Sequence, residues 1–248
     1  VNATAANVEL SAVGTTISRG IYAYLGLSIG ENAAVTATGG NINPSESAET
    51  LDMGNYQYCY GVQAETGNIT VNGGTLTATG GNIDFGDLTG TGNFGTALGQ
   101  DSYGIYGANI TLNDGAITAK AGYSRSSTYA SSSLSRGIFC GDLTVSGGTL
   151  TATADDAWLE SIGIRVLNSL NQTGGTVNGK GGVAVCIAGA GIGSKGIYVQ
   201  NILTANGGSL TGTGGTMGNE LSSVGLQAGT ISLSGTAQAA TATNYSYE

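Results

Sequence analysis

A repeated phrase constrains the fold of this chain more than any other feature of its sequence. The phrase S-R-G-I-F-C-G-D-L-T-V-S-G-G-T-L-T-A-T occupies 135–153, and S-Y-G-I-Y-G-A-N-I-T-L-N-D-G-A-I-T-A-K occupies 102–120. Modified copies begin at Ser18, Cys59, Ser161, Ser194 and Ser223. Each copy holds three short runs that alternate apolar and polar residues, which predicts three strands with one buried face. Because one copy cannot bury that face alone, the copies must stack on one another.

Aligning the copies on a shared glycine brings aliphatic residues into register in all three strands. The glycines are Gly20, Gly61, Gly104, Gly137, Gly163, Gly196 and Gly225. Strand one contributes Ile21, Val62, Ile105, Ile138, Ile164, Ile197 and Leu226. Strand two contributes Leu27, Ile69, Ile110, Leu143, Leu170, Leu203 and Ile231, and strand three Val35, Leu76, Ile117, Leu150, Val177, Leu210 and Ala237. We therefore predict an all-β solenoid of about seven three-sided coils in one domain spanning 1–248.

The copies differ in length at a single point, directly after strand three. The extra residues fall at 39–58, 80–101, 121–134, 154–160, 181–193 and 214–221. This pattern predicts variable loops at one corner of the coil. Glycine pairs at 73–74, 147–148, 174–175 and 207–208 predict a second corner, between strands two and three, where a positive φ is needed.

Two polar columns accompany the apolar ones. Before strand one stand Ser18, Cys59, Ser102, Ser135, Ser161, Ser194 and Ser223, which predict a hydroxyl ladder that satisfies corner amides. Asn68, Asn109, Asp142 and Asn201 open strand two and predict a stacked turn. Cys59 and Cys140 occupy columns of small residues, so we expect both to be buried free thiols. Cys186 lies in an insertion and is not assigned.

Composition excludes several classes of protein. The chain has 40% hydrophobic and only 9% charged residues, with one proline, which argues against a disordered low-complexity segment. Its net charge of −9 argues against nucleic-acid binding. The absence of histidine excludes histidine catalysis and histidine metal ligands. The longest apolar run, 181–193, is too short to span a bilayer. With no signal-peptide pattern and a start at Val1, we expect a mature or excised piece of a larger surface protein.

The S-x-G-I, I-T-V and G-G-T-L-T-A-T phrases resemble those of right-handed parallel β-helix proteins of bacterial surfaces. That group includes adhesin-like repeats and β-helical carbohydrate-binding domains of polysaccharide-using bacteria. The resemblance extends over nearly the whole chain and rests on structural positions. It implies a right-handed coil, an extracellular location, contact with a polysaccharide or a cell-surface glycan, and bound calcium, although no cofactor is required.

One outward face concentrates aromatic side chains and most of the cations. The residue after the strand-one aliphatic forms the Tyr22 column, which reads Tyr22, Gln63, Tyr106, Phe139, Arg165, Tyr198 and Gln227. Two places before that aliphatic lies the Arg19 column, which reads Arg19, Tyr60, Tyr103, Arg136, Ile162, Lys195 and Val224. Rings stack on sugars and guanidinium groups bind hydroxyls. The candidate ligand-binding residues are Tyr22, Tyr60, Tyr103, Tyr106, Arg136, Phe139, Arg165 and Tyr198. The alternative is that these rings only pack across the sheet.

The acidic residues gather in the corner insertions. They form the groups Glu46, Glu49 and Asp52; Asp84, Asp87 and Asp101; and Asp155, Asp156 and Glu160. Each group is either a calcium site or a set of solvated carboxylates, and the candidate metal ligands are Asp84, Asp87 and Asp101. A polysaccharide lyase would need acids and a base on neighbouring strands, where the sequence has almost none.

Two further patterns carry less functional weight. Outward threonines of strand three, such as Thr75, Thr77 and Thr79, resemble an ice-binding array, but Lys120 and Asn178 interrupt it. The G-I-G-S-K-G sequence at 191–196 lacks the strand–helix context of a dinucleotide site. The first hypothesis is therefore a non-enzymatic extracellular module for adhesion or carbohydrate binding. The second is a structural subunit that stacks end to end into a fibre. Ice binding and lyase activity rank below both.

Overall fold

The fold is described here from a computed structural model, for residues 1–10, 15–44, 56–84, 99–125, 133–184, 193–216 and 223–241. The regular structure in these ranges is all β, without a helix, as predicted. It follows that the same ranges offer no helix long and apolar enough to cross a bilayer. The predictions that concern Glu46, Glu49, Asp52, Asp87 and Cys186 lie outside the described residues.

Nineteen strands occur in the described residues. They are β1 Asn2–Thr4, β2 Val8–Leu10, β3 Thr16–Ala23, β4 Gly26–Ile29, β5 Ala34–Thr38, β6 Ile42–Pro44, β7 Tyr56–Thr79, β8 Ile83–Asp84, β9 Gly99–Lys120, β10 Ser124–Arg125, β11 Ser133–Val145, β12 Thr149–Thr153, β13 Glu160–Val166, β14 Ser169–Gln172, β15 Thr176–Lys180, β16 Gly193–Ala205, β17 Ser209–Thr213, β18 Ser223–Leu233 and β19 Gln238–Thr241. The long strands β7 and β9 each contain all three runs of one sequence copy.

Every pairing between these strands is parallel and joins one sequence copy to the next. In strand one, Val62 pairs with Ile105, and Ile105 pairs with Ile138. The predicted columns of strands one and two are confirmed over their whole length. Their registers are given by the pairings of β3, β4, β7, β9, β11, β13, β14, β16 and β18.

The three aliphatic columns meet in one core. Ile105, Ile110 and Ile117 come from the three runs of β9, and all three are buried in the same cluster. Each buried aliphatic side chain contributes about 1.5–3 kcal/mol of hydrophobic stabilisation. The three runs of one copy therefore enclose apolar side chains that the neighbouring copies extend in both directions.

The strand-three column departs from the prediction at its last position. Leu210 pairs with Ala239 and not, as predicted, with Ala237. Ala237 instead ends a turn in which its amide donates to the Ser234 carbonyl at 3.3 Å. Four residues separate β18 from β19, one more than at the glycine corners of the three copies before it, so the predicted position falls within the turn.

The corner after strand three contains more structure than the predicted loop. Its first residues form a second parallel sheet of β2, β6, β8 and β10. In that sheet Val8 pairs with Ile42, and Ile42 pairs with Ile83, which is fully buried. Isolated bridges extend this ladder to Ala184. A short fourth ladder therefore lies between strand three and the variable segments.

The serine column forms the predicted hydroxyl ladder. Ser102 Oγ donates to the Gly81 carbonyl at 2.9 Å and accepts the Gly122 amide at 2.8 Å. Ser135, Ser161 and Ser194 make the same two kinds of bond in their own copies. Each hydroxyl thus bridges two corner residues from adjacent copies. Cys59 takes this place with a contact from Sγ to the Gly40 carbonyl at 3.3 Å.

Three of the four predicted members of the asparagine column, Asn68, Asn109 and Asp142, stack as predicted. Asn109 Nδ2 donates to Asn68 Oδ1 at 3.0 Å, and the Asp142 amide donates to Asn109 Oδ1 at 3.2 Å. Asn168, which the sequence alignment missed, continues the ladder through a bond from its Nδ2 to Asp142 Oδ2 at 3.4 Å. Side-chain amides therefore link consecutive copies at the entrance to strand two.

The cysteine prediction is confirmed for the two described thiols. Cys59 and Cys140 are both free and fully buried. Burial raises the pKa of the Cys59 thiol to about 12 and raises that of Cys140 still further. Both side chains therefore serve as small packing residues in their columns.

Candidate functional site: the aromatic and cationic strip on strand one

A close backbone approach places the two functional columns beside each other. A Cβ on Gly104 would lie 2.6 Å from the Gly137 carbonyl oxygen and 2.7 Å from the Lys120 nitrogen. Only glycine fits there, because strand one passes directly against the end of strand three. The side chains on either side of this glycine meet on the outer surface, where the Tyr103 and Tyr106 ring centroids are 5.5 Å apart. We call the Arg19 and Tyr22 columns together the strip.

Both columns of the strip have the register predicted from the sequence. Tyr22 pairs with Gln63 and Gln63 with Tyr106, and the pairing continues through Phe139 and Arg165 to the end of the column. The two columns also contact each other within single copies. The Arg19, Arg136 and Lys195 cations lie over the rings of Tyr22, Phe139 and Tyr198 at 4.6, 4.9 and 4.4 Å.

One half of the strip is an aromatic cluster. Its six rings are Tyr56, Tyr58, Tyr60, Tyr103, Tyr106 and Phe139. Tyr60 stacks on Tyr103 with centroids 5.2 Å apart, and Tyr106 stacks on Phe139 at the same distance. Burial raises the pKa of Tyr58 to about 12, with the nearby Asp101 carboxylate as the second cause. The faces of these stacked rings are therefore occupied by neighbouring rings.

A buried ion-pair network lies next to the cluster. Arg136 Nε donates to Glu160 Oε1 at 2.5 Å, and Arg165 Nη1 donates to Glu160 Oε2 at 3.3 Å. Arg136 Nη1 also lies 3.3 Å from the Tyr103 hydroxyl, which donates to Asp101 Oδ2 at 2.9 Å. Burial acts to lower the pKa of Arg136, but the Glu160 carboxylate, Tyr103 and Asp101 together outweigh it and the pKa is raised.

The other half of the strip is cationic. Arg165 and Lys195 both lie against the Tyr198 ring, at 4.9 and 4.4 Å from its centroid. Burial lowers the pKa of Arg165, and the Arg136 charge lowers it further. Burial also lowers the pKa of Lys195 to about 8. Lys195 is 5% exposed and forms no hydrogen bond or ion pair with any residue that the structure describes.

The residues that the first copy contributes to the strip, Arg19 and Tyr22, are more exposed than those of the middle copies. Tyr22 is 46% exposed, and its hydroxyl donates to Glu65 Oε2. The same bond is the main cause of the raised pKa of Tyr22. Arg19 Nε donates to Gln63 Oε1. The strip is therefore open at this end.

The structure corrects the predicted exposure of the Arg19 column. Tyr60, Tyr103 and Arg136 were expected to face a ligand, but they are only 5%, 4% and 8% exposed. They are buried because the rings stack along the column and because Arg136 pairs with Glu160. Tyr106, Phe139, Arg165 and Tyr198 are partly exposed, and with Tyr22 they form the accessible part of the predicted site.

The structure adds residues that the sequence reasoning missed. Tyr56 and Tyr58 extend the aromatic cluster, and the alternating Y-Q-Y-C-Y sequence at 56–60 was the signal that could have revealed them. Glu160 was expected to be a loop acid, either solvated or part of a calcium site, but it opens β13 and is 1% exposed because two arginines bind it. Asp101 lies inside β9 for a similar reason, since Tyr103 donates to it.

The predicted calcium site is only partly described. Asp84 closes β8 and accepts a hydrogen bond from the Tyr123 hydroxyl at 2.9 Å, whereas Asp101 accepts one from Tyr103. Asp87 lies outside the described residues. Among those that are described, no group of three or more cysteines and carboxylates could hold a metal ion.

Two other surfaces are less suited to a ligand. The outward threonines of strand three align in register, but Asn178 interrupts the row between Thr151 and Thr211. A cleft of about 390 Å³ opens beside Lys180 and Asp156, where glycines at 181–182 and 214–215 leave space. Neither surface combines aromatic and cationic side chains. The strip is therefore the strongest candidate site.

Comparison with models of protein families, with curated proteins and with solved structures gives no match.

Proposed function

We propose that the stacked copies form a right-handed parallel β-helix with three main sides. The proposal is supported by the parallel pairing of each copy with the next and by the three aliphatic columns that share one core. The right hand follows from strand twist, which favours right-handed connections between parallel strands of one sheet. An experimental structure tests the proposal, and a left-handed coil or a sandwich would refute it.

The function that the geometry supports best is non-enzymatic binding of an extracellular polysaccharide or cell-surface glycan. The observation that carries it is the strip, which holds four of the seven Lys and Arg residues of the chain in the same two columns as most of its clustered rings. Sugars are bound by aromatic surface together with directional donors, and the strip offers both.

The glycan lies over the Tyr22 column, where the side chains are partly exposed. Tyr106 and Phe139 stack face to face along the column, so they offer their edges and the Tyr106 hydroxyl rather than their faces. Tyr22 and Tyr198 are separated from this pair by about two strand spacings, close to 10 Å, on either side. A linear glycan running across successive copies would contact one aromatic group after another.

Glycan binding is tested by screening the purified protein against neutral and acidic glycans, with and without calcium. We expect Tyr22→Ala and Tyr198→Ala each to weaken binding about fivefold, as expected for a loss of about 1 kcal/mol. Tyr123→Ala removes a partly exposed ring from the corner after strand three and is the matched control. Equal binding by all three variants and the wild type would refute the strip as the binding site.

A second candidate function is end-to-end self-association into a fibre. The observation that favours it is apolar exposure on β18, where Ile231 and Leu233 are each 46% exposed although they continue buried columns. A second copy stacked on this strand would cover both side chains and pair its free backbone groups. Light scattering over a range of protein concentrations tests this candidate, and a monomer at every concentration would exclude it.

A further inference from the structure

The cationic half of the strip carries more positive charge than its surroundings neutralise. Arg136, Arg165 and Lys195 come from three adjacent copies, and the carboxylate that acts on Arg165 and Lys195 is Glu160. Glu160 already bonds to Arg136 at 2.5 Å and to Arg165 at 3.3 Å. Glu160 therefore acts on all three cations, and Asp101 acts on Arg136 as well.

Two nitrogens of this group have no acceptor in the part of the chain that the structure describes. Arg165 Nε is buried without a hydrogen-bond partner. Lys195 Nζ lies 4.4 Å above the Tyr198 ring, and no oxygen lies within hydrogen-bond or ion-pair distance of it. A buried donor without an acceptor and a largely buried cation without a bonded anion both destabilise a fold, because burial removes hydration.

The surrounding geometry leaves a route for an anion to reach these groups. Arg165 and Tyr198 belong to the partly exposed Tyr22 column, and Lys195 Nζ lies over the face of the Tyr198 ring. The next copy presents Val224 and Gln227 at the paired positions, neither of which is charged. Among the described residues, an anionic group entering beside Tyr198 would therefore meet two cations, with Glu160 as the carboxylate that acts on both.

We propose that Arg165, Lys195 and Tyr198 form an anion-binding subsite that selects glycans carrying a carboxylate or a sulfate. The inference rests on the proposed glycan-binding function and specifies its ligand class. The anionic substituent binds between the Arg165 guanidinium and the Lys195 ammonium, while the sugar ring lies against the edge of Tyr198. Because the whole protein carries a net charge of −9, unspecific attraction of a polyanion is disfavoured, and such selectivity requires a local site.

The test compares two polymers that differ only in charge. The first is an unbranched polyuronic acid, and the second is the same polymer with its carboxylates fully methyl-esterified. Dextran sulfate and dextran provide the corresponding pair for sulfate. We expect the wild type to bind at least one acidic polymer ten or more times more tightly than its neutral counterpart.

The decisive variant is Lys195→Met, which keeps the shape of the side chain and removes its charge. We expect it to lose at least tenfold in affinity for the acidic polymer, to keep its affinity for the neutral one, and to melt at a higher temperature than the wild type. Lys120→Met is the control, since its ammonium is exposed and pairs with Asp155 at 3.9 Å. It removes the same charge and should leave the preference unchanged.

The outcomes separate the subsite from the broader function. Equal affinity for acidic and neutral polymers, or the same loss in Lys195→Met and Lys120→Met, would overturn the subsite and leave glycan binding standing. Failure to bind any glycan on the wider screen would overturn the proposed function and the subsite with it. A loss of polymer affinity together with a lower melting temperature in Lys195→Met would indicate a structural role and would also overturn the subsite.

Discussion

The two halves of the strip occupy equivalent backbone positions, but they differ in whether their polar side chains have partners. In the aromatic half, Tyr60, Tyr103 and Tyr106 contact one another, and the buried polar atom of Tyr103 has a partner in Asp101. In the cationic half, Arg165 Nε and Lys195 Nζ lie near the Tyr198 ring without an acceptor among the described residues. The side chains of the aromatic half are packed and hydrogen-bonded, as in a protein core. The cationic half has positive charges that the described residues do not fully neutralise.

The difference shows that the repeat sets the position of a side chain but not its role. Both halves have a glycine at the close approach and an aliphatic residue in the core, as Gly104 and Ile105 or Gly163 and Ile164 illustrate. Only the outward residues change from copy to copy. Stability is therefore expected to depend on the aromatic half and on Glu160, and binding on the cationic half.

The largest effect is expected where the two halves join, at Glu160. Glu160→Gln removes the carboxylate that binds both the buried Arg136 and the partly exposed Arg165, and leaves both guanidinium groups without this partner. Breaking a buried ion pair in this way destabilises a protein by about 3–5 kcal/mol. Denaturant unfolding followed by circular dichroism measures the change.

The control for this variant is Asp155→Asn. Asp155 pairs with Lys120 at 3.9 Å on the surface, where both side chains are more than a third exposed. Such pairs contribute at most about 1 kcal/mol. If Glu160→Gln and Asp155→Asn have equally small effects, the buried network does not hold the two halves together.

A stabilising effect of the opposite sign is expected for Lys195→Met. The pKa of Lys195 is lowered from 10.5 to about 8 in the folded state, so the side chain is still charged at neutral pH but its charge is less stable in the folded than in the unfolded chain. The shift corresponds to roughly 3 kcal/mol, and we expect Lys195→Met to gain about 1–3 kcal/mol at pH 7, because the contact with Tyr198 is also lost.

The pH dependence of this gain provides an independent check. Between pH 8 and pH 10.5 the unfolded chain binds the Lys195 proton and the folded chain does not, so the stability of the wild type rises with pH in this interval. The advantage of Lys195→Met should therefore be constant below pH 8 and should vanish towards pH 10.5. An advantage that does not change with pH would mean that packing, and not charge, causes it.

A smaller effect on stability is expected when a tyrosine hydroxyl is removed, and it should differ between the two halves. Tyr103→Phe removes a buried donor to Asp101 and leaves that carboxylate with one bond fewer, which should destabilise the protein by about 1–2 kcal/mol. Tyr198→Phe removes a hydroxyl that forms no hydrogen bond within the described ranges and should change stability by less than about 0.5 kcal/mol. Equal values from thermal unfolding would contradict the distinction between the halves.

Most of the backbone arrangement could be predicted from the sequence, because repetition reveals register. Ser102 and Ile105 lie in columns whose spacing is constant from copy to copy, and the structure pairs both with their predicted neighbours. Ala237 was misplaced because the last corner has a longer turn than the glycine corners of the copies directly before it. The fourth ladder was missed because Ile42 and Ile83 stand alone among residues of variable spacing.

The exposure of the side chains in the strip was harder to predict, because an outward-facing side chain is buried only when side chains of neighbouring columns and copies cover it. Tyr22 and Tyr103 both point away from the core, yet one is 46% and the other 4% exposed. Nothing in the local sequence distinguishes them. The role of Glu160 depends in the same way on Arg136, which lies 24 residues earlier in the chain. Contacts between residues of different copies can be identified only from the three-dimensional structure.

The smallest effect is expected at Ile162, the apolar residue that separates the halves in the Arg19 column. Ile162 is fully buried and pairs in register with Lys195. Ile162→Val should cost about 0.5–1.5 kcal/mol for the lost methylene. It should also let water approach Lys195, and because burial is the main cause of the low pKa of Lys195, that pKa should rise from about 8 towards 10.5. Titration of the lysine signals by nuclear magnetic resonance, assigned with Lys195→Met, measures the shift. A pKa of Lys195 that stays at about 8 in Ile162→Val would mean that Arg165 and the neighbouring copies, and not this boundary residue, keep the ammonium from water.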